Sequence, residues 1–280
     1  MDIATILGFI MGFGSLYLGY TMDGGDVGAL MMLSAIIIVL GGSIGGLFMS
    51  YGLSTILKLP KLFIEVFLLP KSTIAGTIEY LVLLATKARQ GGLLSLEKEI
   101  NNVDPKKPTD PFLKRGVLMV VDGTDSEKIS EILQNDIYIY ETDRTVSISM
   151  FDSLAGFAPT FGMVGTVVGL IMMLGAGMSN PDELTKAIGV AFITTLYGVL
   201  LANLFFAPCS SKLRNRMSNY RLEKEMIIEA ICAIRNGINP RLLQEQLSSY
   251  YILGSSKQQK AAAAGGDNVR NIKGDKGKAA

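Results

Sequence analysis

The sequence predicts an all-α integral membrane protein with four transmembrane helices and a helical cytoplasmic domain inserted between the second and third. Of the 280 residues, 49% are hydrophobic and the mean hydropathy is +0.37, which is more apolar than a soluble domain usually is. A spanning helix needs about 20 mostly apolar residues. Four segments meet this requirement, at roughly 3–20, 28–50, 154–178 and 185–207.

The distribution of basic residues predicts the orientation of these spans. The connectors "TMDGGDV" and "SNPDEL" are short, acidic and turn-like, so the spans form two helical hairpins. Of the 26 Lys and Arg residues, 12 lie between Lys58 and Arg144 and 13 lie from Lys212 onward, which leaves only Lys186 near the other side. We therefore expect a multi-pass membrane protein with both termini and the long middle segment in the cytoplasm.

Composition and periodicity divide the chain further. The stretches "IAGTIEYLVLLATKARQ", "SLEKEINN" and "DSEKISEILQNDIYIYETDRTVSISM" are typical of helices, the last running into the third span, and "NNVDPKKPTDP" is a break. A helix after Pro208 is expected to end near Gly237. The predicted regions are spans one and two (1–53), a cytoplasmic helical domain (54–150), spans three and four (151–208), a C-terminal cytoplasmic helix (209–252) and a disordered tail (253–280).

The centres of all four spans lack Asp, Glu, Lys and Arg and instead carry small and hydroxylated residues. Helical spacing places Gly162, Thr166 and Gly169 on one face of the third span. It also places Thr194 and Gly198 on one stripe of the fourth, with Thr195 beside it. Such faces let helices approach closely, and ordinary packing with each hydroxyl bonded to its preceding turn is one interpretation.

Several classes of function lack the residues they need. The chain has no His, and its two cysteines, Cys209 and Cys232, have no metal-ligand spacing, so we expect no metal site. No nucleophile–base set or phosphate loop appears, which argues against an enzyme and a bound cofactor. A net charge of +1 gives no reason to expect nucleic-acid binding.

Three stretches in this order resemble the MotA/PomA family of flagellar stator subunits, within the wider group that contains TolQ and ExbB. They are "KARQGGLLSLEKEI", "FAPTFGMVGTVVGLIMML" and "AFITTLYGVLLANLFFAP". The resemblance implies an ion-conducting subunit that couples H⁺ or Na⁺ flow to flagellar rotation. It implies a homo-pentamer in membrane lipid around two single-span MotB-type partners, each of which brings the ion-binding aspartate that this chain lacks.

The resemblance also assigns roles to individual residues. Two prolines match positions tied to torque generation: Pro159, expected to break the third span, and Pro208, expected to mark the inner end of the fourth. Thr166, Thr194 and Thr195 match the threonines of sodium-driven members. Threonine suits sodium there because its hydroxyl oxygen can replace part of the cation's hydration shell. The threonines favour sodium, although the ligand set is incomplete without the partner. The implied ion pathway comprises Pro159, Gly162, Thr166, Gly169, Thr194, Thr195, Gly198 and Pro208.

A second implied site faces the rotor protein FliG. Arg89 and Glu97 match the charged pair of the family, and Lys87, Lys98 and Glu99 lie beside them. Gln90 departs from the pattern, since some sodium-driven members have a lysine there. A solvated helix face is the alternative interpretation of these charges.

Two other membrane functions share some of these features. A TolQ- or ExbB-type energiser of an envelope process shares the ion chemistry but usually has three spans and a different cytoplasmic layout. A secondary transporter would need inverted repeats and a midplane site made by this chain alone, and the sequence shows neither.

Overall fold

The computed structural model describes residues 3–68, 74–101, 110–176 and 181–250, and these residues form helices and turns without a strand. The prediction of an all-α membrane protein is confirmed, because four helices are long and apolar enough to span a bilayer. The chain forms two compact units, 1–70 with 143–215 and 71–142 with 216–280. The predicted tail, 253–280, lies outside the described residues.

The first half of the chain forms nine α-helices within the described residues. They are α1 (Ile3–Met22), α2 (Val27–Leu30), α3 (Leu33–Ile36), α4 (Gly42–Ser50), α5 (Leu53–Ile56), α6 (Leu59–Phe67), α7 (Ile74–Gly91), α8 (Ser95–Asn101) and α9 (Pro111–Val121). A π-helical turn, Ile37–Gly41, joins α3 to α4.

The second half has four α-helices within the described residues, of which the first three have 51, 20 and 29 residues. They are α10 (Ser126–Ala176), α11 (Pro181–Leu200), α12 (Ala207–Arg235) and α13 (240–250). A second π-helical turn, Leu201–Phe206, joins α11 to α12. The first unit contains α1 to α6, α11 and the adjoining parts of α10 and α12, so it groups α5 and α6 with the spans.

The second span is less regular than expected. The sequence predicts one helix over 28–50, but Met31 and Met32 have ψ angles of 79° and 105° and interrupt it. An interruption frees backbone carbonyl groups that must find other donors in a membrane. The hydroxyl of Tyr197 in α11 donates to the carbonyl oxygen of Leu30 at this point. A contact between two spans therefore stabilises the break.

The third span and its extension form one helix, as predicted, but the expected break at Pro159 is wrong. Pro159 lies inside α10, which continues to Ala176. Proline removes one backbone donor and usually kinks a helix, and a long helix with many other hydrogen bonds can continue through it. Pro208 is the second residue of α12, which follows the π-helical turn directly and continues to Arg235. That it marks the inner end of the fourth span stays a prediction.

The C-terminal region contains two helices rather than one. As expected, α12 ends just before Gly237, whose φ of +73° is the left-handed conformation common after helix ends. The chain then turns and α13 packs back, with Leu243 and Leu247 fully buried. The predicted single helix over 209–252 is therefore interrupted within its described part.

The second unit has its own hydrophobic core. Leu81, Leu84, Leu96, Leu133 and Ile231 are fully buried there, from four helices. This cluster of buried side chains accounts for the compactness of the unit.

A buried cation and a phenol border this core. Lys224, only 5% exposed, pairs with Asp110 and lies 4.9 Å from the ring centre of Tyr220. Tyr250 donates a 2.6 Å hydrogen bond to Glu229, and burial, together with this carboxylate, raises the pKa of Tyr250 to about 12.

Candidate functional site

Glycines bring α10 and α11 into backbone contact. A Cβ atom built on Gly162 would lie 2.9 Å from the carbonyl oxygen of Thr194, and one on Gly169 would lie 2.7 Å from the amide nitrogen of Ala191. From the opposite helix, a Cβ on Gly198 would lie 2.5 Å from the carbonyl oxygen of Ala158. No side chain fits at these positions, so the predicted small faces of the two spans pack against each other.

Two threonine hydroxyls meet across this contact. Thr166 Oγ1 lies 2.9 Å from the carbonyl oxygen of Ala191 and hydrogen-bonds with Thr195 Oγ1. Thr195 Oγ1 is itself 3.4 Å from the same carbonyl oxygen. Both side chains are partly exposed. Each hydroxyl has one proton and two lone pairs, so the three oxygens form a small cluster with acceptor capacity left over.

Thr194 has a different environment, although it is the neighbour of Thr195. It is fully buried, and its hydroxyl donates to the carbonyl oxygen of Val190 at 2.8 Å, one turn back in its own helix. A Cβ atom on Gly165 would lie 2.5 Å from the Cβ of Thr194, so this threonine fills the space that the glycine leaves. The structure therefore brings Thr166 and Thr195 together and places Thr194 in the packing between the helices.

The glycines of the second span accept aromatic rings from α10. Gly42 lies against the ring of Phe161, and a Cβ on Gly46 would be 3.1 Å from the ring of Phe157. The second span contains two overlapping GxxxG pairs, Gly42 with Gly46 and Gly41 with Gly45. At Gly41 and Gly45 a Cβ atom would have nothing within 4 Å. One of the two GxxxG pairs thus packs the third span against the second.

The face of α10 directed away from α11 is apolar and exposed. Met163 is 58% exposed, Val167 55% and Ile171 62%. These residues lie in a predicted span, so lipid or another apolar helix must cover them. Thr166, the α10 member of the oxygen cluster, therefore lies on the same helix as this uncovered face.

The second set of predicted residues lies at the end of α7 and in α8, on either side of the turn that joins them. Gly92, with φ of +76°, reverses the chain, and Ser95 Oγ donates to the carbonyl oxygen of Gly92 at 2.6 Å. Lys87 and Glu99 form an ion pair across the turn. Their side chains are 40% and 27% exposed. The pair links the two helices, and its contribution to stability is small because a partly exposed salt bridge is weak.

The other three charges of this set project into solvent. Arg89, Glu97 and Lys98 are all exposed, and so is the neutral Gln90 beside them. The ends of α7 and α8 next to the turn therefore present a mixed-charge surface.

Comparison with known proteins identifies the family. The family model of the MotA/TolQ/ExbB proton channel family matches residues 104–226, and that of the motility protein A N-terminal region matches residues 6–92. The chain is 34% identical to the chemotaxis protein PomA of Vibrio alginolyticus over 251 residues, which cover 89% of this chain and 95% of PomA. It is 37% identical to motility protein A of Treponema phagedenis over 250 residues, 89% of this chain and 94% of that protein.

The chain belongs to the motility protein A family.

Solved structures agree with this family assignment. The structure of C. jejuni MotAB matches with a TM-score of 0.82 and 30% identity, covering 89% of this chain and 96% of that one. The flagellar MotAB stator complex from Bacillus subtilis matches with a TM-score of 0.82 and 32% identity, covering 93% and 100%.

The two prolines of the motility protein A pattern have different surroundings. Pro159 lies where α10 approaches Gly198, since a Cβ on that glycine would be 3.1 Å from its Cα. Pro208 is exposed at the start of α12 and lines a groove with α1 and α6. Of the predicted pathway residues, Pro208 is therefore separate from the α10–α11 contact.

A polar cluster on Asp152 was missed from the sequence. Ser210 Oγ donates to one carboxylate oxygen of Asp152 at 2.5 Å, and Arg214 pairs with the other. The cluster links α10 to the start of α12. The available signal was Asp152 itself, because a carboxylate at the edge of a membrane span needs a partner.

Proposed function

We propose that this chain is the ion-conducting stator subunit of a bacterial flagellar motor and that it works with a single-span partner of the MotB type. The likeness to two MotAB structures over about nine-tenths of the chain carries this proposal. The match of residues 6–92 to the motility protein A N-terminal region favours a motor subunit over a TolQ- or ExbB-type energiser.

The oxygen cluster supplies half of an ion site. Thr166, Thr195 and the carbonyl oxygen of Ala191 offer three uncharged oxygens on one side, and the centres of the spans contain no carboxylate. A hard cation prefers a carboxylate together with several neutral oxygens. The partner's membrane aspartate supplies that carboxylate when its helix covers the exposed face of α10.

We propose sodium as the transported ion. A proton needs one basic oxygen, whereas a sodium ion needs several oxygens in place of its water shell, and the hydroxyl pair provides them. An ion that crosses the membrane potential releases about 2.3 kcal/mol per charge per 100 mV. Binding of the ion neutralises the partner's aspartate, and its release restores the charge and favours a step toward the next threonine pair.

The glycines have a supporting role in this mechanism. Gly162, Gly169 and Gly198 set the distance between the two spans, and that distance determines whether the Thr166 and Thr195 hydroxyls meet. They act on the pathway through helix spacing rather than by binding the ion.

Assembly and orientation follow the family. We propose a ring of five copies around two partners, in the bacterial inner membrane, with both termini in the cytoplasm. The exposed charges Arg89, Glu97 and Lys98 then contact the rotor protein FliG. Weak, steered attraction suits contact with a moving partner.

Replacing Thr166 with valine tests the oxygen cluster. Val has nearly the same shape but no hydroxyl, so Thr166→Val is expected to leave membrane insertion intact and to abolish most swimming in sodium. Thr160→Val is the matched control, because Thr160 is exposed in the same helix and its hydroxyl donates to its own preceding turn. Swimming speed is measured at several sodium concentrations, and protein level by immunoblot.

Three outcomes would count against the proposal. Equal swimming of Thr166→Val and the parent would remove Thr166 from the pathway. Swimming of the parent that is independent of sodium but lost with a protonophore would assign the proton as the ion. Ion current through vesicles that hold this chain without its partner would contradict the shared site.

A further inference from the structure

A groove lies between α10, α12 and α13 on the surface of the second unit. Its volume is about 570 Å³, within the range of about 300–1,000 Å³ usual for ligand pockets. Ile137 and Ile228 contribute apolar surface to the lining, and Tyr138 and Tyr250 contribute phenol rings. The groove is separate from the α7–α8 turn, because no residue of that turn lines it.

The formal charges that line this groove do not cancel. Glu141, Glu225 and Glu229 contribute three carboxylates, and Arg221 contributes one guanidinium group, so the lining has a net charge of −2. Among the described residues that line the groove, Arg221 is the one cation. We call this surface the acidic groove. Its charge complements a ligand with at least two positive charges.

Two of the carboxylates share the single arginine. Arg221 Nε donates to Glu225 at 2.7 Å, and Arg221 Nη1 donates to Glu141 at 3.4 Å. One guanidinium group balances the charge of one carboxylate, so this trio keeps one negative charge in excess. The side chains of Arg221 and Glu225 are 56% and 41% exposed, and a further cation can therefore reach them from solvent.

The third carboxylate, Glu229, bonds to neutral groups. The hydroxyl of Tyr250 donates to one of its oxygens at 2.6 Å, and Gln246 Nε2 donates to the other. These contacts orient the carboxylate without neutralising it. A partly buried carboxylate that keeps its charge attracts a cation more strongly than one in open solvent, because the local dielectric constant is lower.

The segment of this chain that follows α13 has the opposite charge. Residues 251–280 lie outside the described residues, and their sequence has six basic residues against two acidic ones, a net charge of +4: Lys257, Lys260, Arg270, Lys273, Lys276 and Lys278 against Asp267 and Asp275. Lys257 is seven residues after Tyr250, and seven extended residues span up to about 25 Å. Because Tyr250 itself lines the acidic groove, Lys257 is within reach of its carboxylates.

We propose that the acidic groove binds the basic segment 257–278 of its own chain, with Lys257 and Lys260 beside Glu225 and Glu229. The covalent link to α13 holds the segment at high local concentration, so weak ion pairs are enough to keep it bound. Such pairs are screened by salt. With the orientation proposed above, groove and segment are both cytoplasmic, and anionic membrane lipids compete for the same lysines.

Carbodiimide crosslinking tests this proposal, because the reagent joins a carboxylate to a lysine amine only where the two are in contact. The full-length protein is treated at low salt in vesicles of phosphatidylcholine and phosphatidylglycerol, and crosslinked peptides are identified by mass spectrometry. Lys257 and Lys260 should join Glu225 and Glu229 about fivefold more than Glu245, the upper effect of an exposed ion pair. Glu245 is exposed on α13 outside the groove and is nearer along the chain, so an unbound segment would favour it.

Two controls belong to this experiment. Lys128 Nζ and Glu131 Oε2 are 2.8 Å apart on one helix, so their crosslink reports the efficiency of the reagent in every sample. High salt should reduce the crosslinks of Lys257 and Lys260 severalfold and should leave the pair on the helix joined, because the helix itself holds that pair together.

Tryptophan fluorescence gives an independent readout, because the chain has no native Trp. Tyr138 lines the acidic groove and is 68% exposed, whereas its neighbour Ile139 is 58% exposed and does not line it. In full-length Tyr138→Trp, the added changes Lys257→Gln and Lys260→Gln should raise quenching by acrylamide to the level found in Ile139→Trp. The same two changes in Ile139→Trp should have no effect. All four positions are exposed or lie beyond α13, so these variants are expected to fold.

Each contrary result overturns the proposal in a different way. Equal crosslinking of Lys257 to Glu229 and Glu245, with the Lys128–Glu131 crosslink formed normally, means that the groove does not select the segment. Crosslinks that double the mass on a denaturing gel assign the groove to the basic segment of a second copy. Groove crosslinks that form only without phosphatidylglycerol assign the segment to anionic lipid. Unchanged quenching of Tyr138→Trp after both glutamine changes means that the segment does not cover the groove.

Discussion

The α10–α11 contact and the α7–α8 turn are built in opposite ways. In the first, glycines remove side chains so that two backbones touch and two hydroxyls meet. In the second, long charged side chains project into solvent from the two helices next to a short turn. The first is therefore sensitive to a single methyl group and insensitive to salt. The second tolerates single changes and depends on ionic strength.

The two regions also suit different tasks. An ion site needs oxygens held within a few tenths of an ångström, which only close packing provides. A surface that repeatedly meets and leaves a moving partner needs weak, long-range attraction shared among several charges. We therefore expect a single substitution at the α10–α11 contact to have a larger effect than a single substitution beside the α7–α8 turn.

The largest effect is expected at Gly198. Gly198→Ala places a Cβ atom 2.5 Å from the carbonyl oxygen of Ala158, which is backbone and cannot move aside, so stability should fall by ~1–3 kcal/mol or more. Gly156→Ala in α10 has nothing within 4 Å and should be neutral or stabilising by up to ~1 kcal/mol. Thermal unfolding in detergent measures both. Equal melting temperatures would mean that the two helices are not in close contact.

The next effect separates the two adjacent threonines of α11. Thr195→Val removes a hydroxyl from the cross-helix pair and should reduce swimming severalfold at low sodium. Thr194→Val removes a hydroxyl bonded only within its own helix and should leave swimming nearly unchanged. Swimming speed against sodium concentration distinguishes them. A comparable loss in Thr194→Val would place that residue in the pathway and contradict its assignment to packing.

A smaller effect is expected from the exposed charges of the turn. Arg89→Ala should slow swimming modestly and change stability by less than ~0.5 kcal/mol, as surface substitutions usually do. The matched control is Gln90→Ala, a neutral exposed neighbour. The triple change of Arg89, Glu97 and Lys98 to alanine should slow swimming much further. If the triple variant swims like the parent, the turn is a solvated surface without a rotor contact.

The smallest effect is expected at the ion pair that holds the turn. Lys87→Met removes one partner of a half-exposed pair and should cost at most ~1 kcal/mol of stability, less at high salt. Unfolding of the purified protein at low and high salt measures this. A loss of stability above ~1 kcal/mol that does not change with salt would contradict this. It would mean that the ion pair is as important for stability as the glycine contact between α10 and α11.

The sequence predicted most of the helical organisation and part of the site. Hydropathy marked four spans, and spacing placed Gly162, Thr166 and Gly169 on one face. It did not predict that Thr166 pairs with Thr195 rather than Thr194, because adjacent residues differ by about 100° around a helix and their partner depends on the rotation of α11. It also missed the partners of Asp152, since Ser210 and Arg214 are 58 and 62 residues away in the chain.

Residue type and periodicity were enough to establish that this protein is helical, has four membrane spans and lacks a titratable group at their centres. These properties are local, so each can be recognised in a short window of sequence. The packing of the helices set the rest: Met31 and Met32 interrupt a span, α10 continues through Pro159, and Pro208 lines a groove beside α1. Such features depend on the register and rotation of packed helices, which arise from all the contacts of an interface together.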